Sequence, residues 1–455
     1  MRLFSSPSDA GAQTGDAAWL RAMLDFEAAL AGALADRGLA AAAAAEEIAG
    51  VCGGDGWDLE ALGAGTAREG TPVPALLAQL RGKLSDEAAA VLHRGATSQD
   101  VVDTAAMLVA HRALAPLRAD LDAAAAAAAA LADRHRADLA VGRTLLQQAL
   151  PITFGLRAAN WLGGLDDAAA RLGAVADERL AIQFGGAAGT LASLDDDGLA
   201  VADALARRLD LPAPSTPWQT NRTRVVELAA ALGEAAGAAG KVGTDVVLLA
   251  QTEVGEVAEG GGGGGSSTLP HKRNPAAAVA TIAAARRTPA LVATLLAAMP
   301  GEEERAAGAW QSEAETLDDL LRLAGTAVAS VRRLLENLEV FPDRMRANLD
   351  LTDGLVLAES LSSALAAKLG QAKAKDLVTE ASKRAVLESR PLVEVAGETA
   401  EIVEALGEDG IVAALDPAAY LGATDELIDR ALAAHRERVG ADSAGAPSAR
   451  PGGAP

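Results

Sequence analysis

Apolar positions recur at steps of three and four through most of the chain, the period of a helix rather than of a strand. The first stripe is Trp19, Met23, Phe26, Leu30 and Leu34, with Asp16 as the predicted N-cap and Gly38 near the end. A glycine-rich break over residues 50–70 holds Cys52 and Trp57, and after Thr71-Pro72-Val73-Pro74 helical spacing resumes toward Leu92. Longer patterns follow at about 104–136, with Pro116 as its one interruption, then 151–182, 223–257, 275–296 and 312–338. In the third of these, Val226, Leu228, Leu232, Ala235, Ala239, Val242, Val246 and Leu249 mark one stripe. At the standard rise that helix would run roughly 50 Å, and helices so long belong to bundles or coiled coils. The pattern therefore predicts an N-terminal helical domain over 1–104 and a five-helix bundle over 105–345. Shorter helices (355–369 and 372–389) form a C-terminal domain over 346–439, followed by a disordered tail over 440–455.

Composition sharpens this picture. Half of the 455 residues are hydrophobic but only 2% are aromatic, so the core material is Ala, Leu and Val, which favours close-packed helices over sheets. An all-α fold is expected. The net charge of −22 argues against nucleic acid or an anionic membrane as partner. One cysteine rules out an intrachain disulfide framework and fits a reducing compartment. No basic, apolar N-terminal segment reads as a signal peptide, and the alanine runs at 40–45 and 123–130 are too short to span a bilayer. A soluble, cytoplasmic protein is expected.

The most informative stretch is Gly264-Gly265-Ser266-Ser267-Thr268-Leu269-Pro270-His271-Lys272-Arg273-Asn274-Pro275, entered from a glycine run over 260–265. Glycine lets backbone N–H groups approach a ligand closely. N–H groups, an ammonium and an amide before a helix make an anion-binding loop; by composition alone the same residues could form a plain linker. The string resembles the signature loop of the aspartase/fumarase superfamily, with Leu269 where Met is usual. Gly95-Ala96-Thr97-Ser98-Gln99-Asp100-Val101-Val102-Asp103-Thr104 is similar to that superfamily's first conserved region, although Thr97, Ser98 and Asp100 alone would equally cap a helix. Gly142-Arg143-Thr144-Leu145-Leu146-Gln147-Gln148-Ala149-Leu150-Pro151 resembles the second.

The resemblance implies a three-domain, all-α fold whose five-helix bundles assemble into a 20-helix core in a homotetramer, with each active site shared between subunits. It also implies Ser266 as the base that removes a proton beside a carboxylate. Lys272 and Asn274 would stabilise the resulting aci-carboxylate. Thr97, Ser98, Thr144 and Gln147 would hold substrate carboxylates, with Ser267 a neighbouring hydroxyl. Arg143, Arg222 and Arg305 are candidate clamps, because guanidinium pairs bidentately with carboxylate. His271 occupies a variable loop position, while His93, His111, His135 and His435 read as solvated or capping residues. No cofactor and no metal is expected, since no cluster has ligand spacing and no glycine-rich segment follows a strand. The glycine loop is expected to be mobile and to close on substrate.

Departures narrow the chemistry. Amine- and water-releasing members of the superfamily carry a His where this chain has Leu145, which cannot transfer a proton. Poor leaving groups need a general acid, whereas a carboxylate leaves as a stable anion. The lactone-forming cycloisomerase branch fits, and Trp218-Gln219-Thr220-Asn221-Arg222, Glu304–Trp310 and Leu349–Glu359 resemble it too. Gln219 and Lys375 stand where that branch often has His. The alternatives are a fumarate-releasing lyase with another proton donor, or a scaffold that has lost catalysis.

Overall fold

The structure is a computed structural model that describes residues 7–261, 264–265 and 268–445. The chain is dominated by helices, with two short antiparallel strand pairs, and forms two compact units that each draw on three stretches of sequence.

The first unit comprises the chain up to Asp122, Asp167–Gly240 and Ala280–Val331. Its opening long helix, α1 (Asp16–Asp36), buries Leu20, Met23, Phe26, Leu30 and Leu34 on the stripe read from sequence. Asp16 is the first helical residue rather than the N-cap. Gly15 caps at φ 87, and its N–H is satisfied from afar by Asp318 Oδ1 at 2.7 Å. Helix α2 (Ala42–Gly53) packs against α1 and buries Ile48 and Cys52. Helix α3 begins at Ser98, six residues before the spacing suggested, and continues to Arg134. Pro116 does not break it: burial of Leu114, Leu117 and Leu121 around the proline outweighs the loss of about 3 kcal/mol that an interior proline incurs.

The second unit comprises Ala123–Asp166, Lys241–Val279 and the chain from Arg332 onward. Along the long helical passages, whose residues are divided between the two units, the sequence reading needs correction. Residues 151–153, expected to open a helix, instead end a hairpin of β1 (Leu139–Thr144) against β2 (Gln147–Thr153), and helix α4 starts only at Phe154 and ends at Glu178. Helix α5 (Thr223–Leu249) stops eight residues early, because the chain turns into β3 (Val257–Glu259), which pairs with β4 (Leu338–Val340). The fourth long pattern is two helices, α6 (Ala276–Ala285) and α7 (Thr288–Ala298), divided where Pro289 enters the first turn of α7. The fifth is α8 (Glu313–Glu336). Toward the C-terminus, α9 (Ala358–Leu369) and α10 (Gln371–Glu388) bury Leu361, Leu365, Val378 and Ala385 in a core shared with Ile402 and Ile411. The last helix, α11 (Thr424–Gly445), continues past Gly440, where the tail was expected to begin; residues 446–455 lie outside the described residues.

Ala276–Ala298 is long and apolar enough to cross a membrane by length and composition: an 18-residue stretch within it has mean hydropathy 1.2 and is 22% buried. The sequence reading weighed only the alanine runs and passed over this segment.

Candidate active site

The signature loop is built by the β3–β4 pair, which delivers the chain to Gly260, whose N–H donates to Asn337 O at 2.8 Å. Gly264 then adopts φ 75, and a Cβ there would lie 1.9 Å from the Asn274 carbonyl oxygen. No other residue fits. Its own carbonyl accepts both the backbone N–H and the side-chain Nδ2 of Asn274, each at 2.9 Å. Gly265 bridges antiparallel to Arg273, and Lys272 N donates to Leu269 O at 3.0 Å across a turn containing Pro270. Arg273 fastens this arm by donating to Glu259 O and Glu339 Oε1, both at 3.1 Å.

Two groups of the loop are already engaged within the protein. The N-terminus of α6 is already occupied by an internal anion, because the Glu259 carboxylate accepts from Ala277 N at 2.9 Å and Ala278 N at 3.4 Å. Asn274 commits its amide N–H to holding the loop closed at its base. Lys272 and His271 are exposed. Gly262, Gly263, Ser266 and Ser267 lie outside the described residues.

Thr97 and Ser98, half-buried, stand at the start of α3 in the first unit. The carboxylate of Asp100 folds back to accept Thr97 N at 3.1 Å. It also accepts Gly186 N at 2.8 Å, and Gly185 N and Gln183 Nε2 at 3.1 Å. Burial pushes the Asp100 carboxyl up to about 6, and those four donors only partly offset it. Gln219, one of the two departures, is buried and donates to Gly186 O at 2.8 Å, so its amide braces the same loop.

One turn further along α3, Asp103 organises a second group. Arg222 donates to Asp103 Oδ2 at 2.7 Å and Oδ1 at 2.9 Å, and on its other edge pairs with Glu313. Its guanidinium stacks on Trp218 at 4.8 Å, and Trp310 Nε1 donates to Asp103 Oδ1 at 2.9 Å. Burial opposes the charge on Arg222, but the two carboxylates outweigh it and hold the group above its ordinary value. Arg222 is thus buried and engaged by two carboxylates inside the protein. An incoming carboxylate would meet two buried acids there. Arg305 is freer: it donates to Ala187 O at 2.7 Å and reaches Gln99 Oε1 at 3.5 Å, and Gln99 in turn donates to Asp103 and Gln219 O.

In the second unit, Arg143 pairs bidentately with Glu256, fully buried, which also accepts Asn348 Nδ2 at 2.9 Å and lies 3.6 Å from Arg157. Arg143 and Thr144 line an open groove of about 960 Å³ with Arg157, Asn160, Lys241 and Asp245. Thr144 and Gln147 pair across the hairpin end, flanking Leu145 at φ 51 and Leu146 at φ 64. A tight hairpin turn demands two left-handed residues and usually takes Asn-Gly; leucine there carries strain of roughly 1–2 kcal/mol each. The two leucines are 97% and 68% exposed.

The structural residues that sequence reasoning passed over are the acids: Asp103, Glu256, Glu259 and Glu313. Asp103 lay within a motif already singled out, whereas Glu256 and Glu313 stand in no pattern that marks them. Among the described residues no cluster of His, Cys, Asp and Glu could hold a metal ion.

A lyase family profile matches residues 9–289, and an adenylosuccinate lyase C-terminus profile matches 354–431. The chain belongs to this lyase family, of the aspartase/fumarase type. It is 45% identical over 422 residues to a 3-carboxy-cis,cis-muconate cycloisomerase of Bradyrhizobium diazoefficiens, covering 92% of this chain and 94% of the relative. It is 41% identical to a nitrosuccinate lyase of Streptomyces davaonensis, covering 94% of each. In structure it resembles the 3-carboxy-cis,cis-muconate lactonizing enzyme from Pseudomonas putida, with TM-score 0.90 and 41% identity over 96% of this chain and 98% of that one.

The Asp100 environment gives a test with a definite sign. Because the native carboxyl titrates near 6 and the unfolded one near 3.8, the folded state binds the extra proton between those values. Stability from this group is therefore greatest at low pH and is lost as pH rises through about 6. Denaturant unfolding should show the advantage of wild type over Asp100→Asn shrinking by on the order of 1–3 kcal/mol from about pH 4 to pH 7. A difference that stays constant with pH refutes the assignment.

Proposed function

We propose that this chain is a 3-carboxy-cis,cis-muconate cycloisomerase, which closes its tricarboxylate substrate into 4-carboxymuconolactone in the protocatechuate branch of the β-ketoadipate pathway. The observation that carries this reading is Leu145. Full-length relatives at 45% identity bear that activity in their names, and at the hairpin tip this chain presents leucine where amine-releasing members carry a proton donor. In lactonisation a substrate carboxylate oxygen bonds to the alkene carbon, while the neighbouring carbon, beside another carboxylate, takes up a proton. In reverse the leaving group is the carboxylate whose oxygen had bonded to the alkene carbon, and it departs without a general acid.

Ser266 exchanges the proton at carbon, and Lys272 with the loop N–H groups faces the charge of the aci-carboxylate. Asn274 acts by closing the loop base through Gly264 O. Thr97, Ser98, Thr144 and Gln147 hold the carboxylates, with Ser267 a supporting hydroxyl; Arg305 and Arg143 supply positive charge nearby, while Arg222 serves as an internal brace. No cofactor takes part.

The enzyme works as a cytoplasmic homotetramer with sites shared between subunits. Supporting the assembly are Val279 and Leu296, 55% and 54% exposed, each on a helix that is apolar all round and so of the kind that a second copy would cover. A second reading, elimination from a substituted succinate, is favoured by the nitrosuccinate lyase relative and the adenylosuccinate lyase C-terminus match.

An ultraviolet assay of the purified protein on a substrate panel decides between them. Loss of diene absorbance with 3-carboxy-cis,cis-muconate supports the first reading, whereas fumarate-type product from nitrosuccinate or adenylosuccinate alone transfers the assignment to the second. Ser266→Ala should lower kcat by about 10²–10⁴-fold, and undiminished turnover would remove the serine from the mechanism.

The loop geometry makes a separate prediction. Gly264→Ala should cost about 10²-fold in kcat/KM through displacement of the loop. Gly265→Ala should stay within a few-fold, since a Cβ at Gly265 meets nothing within 4 Å. Equal effects of the two substitutions would contradict the role of Gly264.

A further inference from the structure

Asp100 grips one side of the turn that carries Thr97 and Ser98, and a second buried carboxylate grips the other. Glu27 lies in the middle of α1, between the buried Met23, Leu24, Phe26, Ala29, Leu30 and Ala31, with its side chain 0% exposed. Nothing in that apolar stripe calls for an acid. Its Oε1 accepts from His93 Nδ1 at 2.7 Å, and its Oε2 has no hydrogen-bond partner. A buried carboxylate with half its acceptor capacity unused is destabilising for the fold, so packing alone does not account for it.

His93 stands at the head of the turn. It takes a left-handed conformation, φ 63, and its carbonyl accepts Ala96 N at 3.2 Å. Gly95 follows at φ 84, pressed so closely against Leu194 that a Cβ would come within 2.6 Å. Next come Thr97 and Ser98, and then Asp100, which ties Thr97 N to Gly185 and Gly186. The neighbouring charges are engaged elsewhere: on α1 Asp25 pairs with Arg21 and Arg112, and beside His93 the Arg94 side chain donates to Leu39 O.

We propose that Glu27 and His93 form a positioning pair that fixes the turn bearing Thr97 and Ser98, and thereby sets their grip on a substrate carboxylate. The catalytic part of this proposal rests on the reaction proposed above. The pair does not touch substrate; it acts through the turn.

The test uses Glu27→Gln and His93→Asn in the full-length enzyme, with the double variant. Asn tolerates the left-handed backbone while being too short to reach Glu27, which separates loss of the pair from loss of the turn. Hydrogen exchange should quicken over residues 93–98 in both single variants, with the exchange of α8 unchanged. KM for whichever panel substrate wild type turns over should rise about ten-fold, with kcat within about three-fold. The double variant should be no worse than the poorer single one, as for two residues acting as a unit. Unchanged exchange at the turn overturns the proposal whether or not any substrate has been found. So does a fall in thermal midpoint with KM unmoved, or additive losses in the double variant. Failure of 3-carboxy-cis,cis-muconate alone defeats the cycloisomerase reading but not the pair.

Discussion

The first unit depends on the burial of two acids one turn apart at the start of α3. Asp100 and Asp103 are both buried, and a carboxylate in such a place is tolerable only if donors surround it. Those donors come from distant sequence: Gln183 to Gly186 for Asp100, Arg222 and Trp310 for Asp103, with Glu313 as the second partner of Arg222. Each acid therefore fixes two or three segments at once. Replacing such a group with well-packed apolar residues could leave stability unchanged, whereas removing one member would strand a charge. Register, more than stability, is what the group supplies: Gln99 and Arg305 take their positions from Asp103, and Thr97 takes its position from Asp100.

The same logic explains how much could be read from sequence. Apolar periodicity reports which face of a helix is buried, and it located all five long helical passages. It does not report short strands. Residues 139–153 mix polar and apolar positions over a span too brief for a period, and the hairpin turn lacks the Asn-Gly that would announce it, using Leu145 and Leu146 instead. Proline was ambiguous in both directions: Pro116 sits inside a helix held by its packing, while Pro289 starts a new one. The motifs were legible as motifs. Which of their charges face outward was not, because Arg222 reads the same in sequence whether it clamps a ligand or braces Asp103 and Glu313.

That distinction reshapes the loop as well. Composition suggested a helix entrance open to an anion, yet Glu259 fills the N-terminus of α6 with a carboxylate from the preceding strand. The loop is thus tied at its base by three internal contacts: Glu259 to the helix, Arg273 to Glu339, and Asn274 to Gly264. Arg273 stays exposed but is tied to Glu339, whereas Lys272 is exposed beside it, so part of the motif's positive charge is engaged internally. A localised charge suits stabilisation of one developing oxyanion better than general attraction of acids.

The hairpin tip completes the argument about leaving groups. Two leucines held in a strained, exposed turn offer neither a proton nor a hydrogen bond. If a poor leaving group had to be expelled there, the barrier would rise by the whole contribution of the missing acid, about 10²–10⁴ in rate. A carboxylate leaving group does not incur that loss, because at neutral pH it has no need of the proton. The residue that looks like a defect beside amine-releasing relatives is therefore the one that fits an intramolecular reaction.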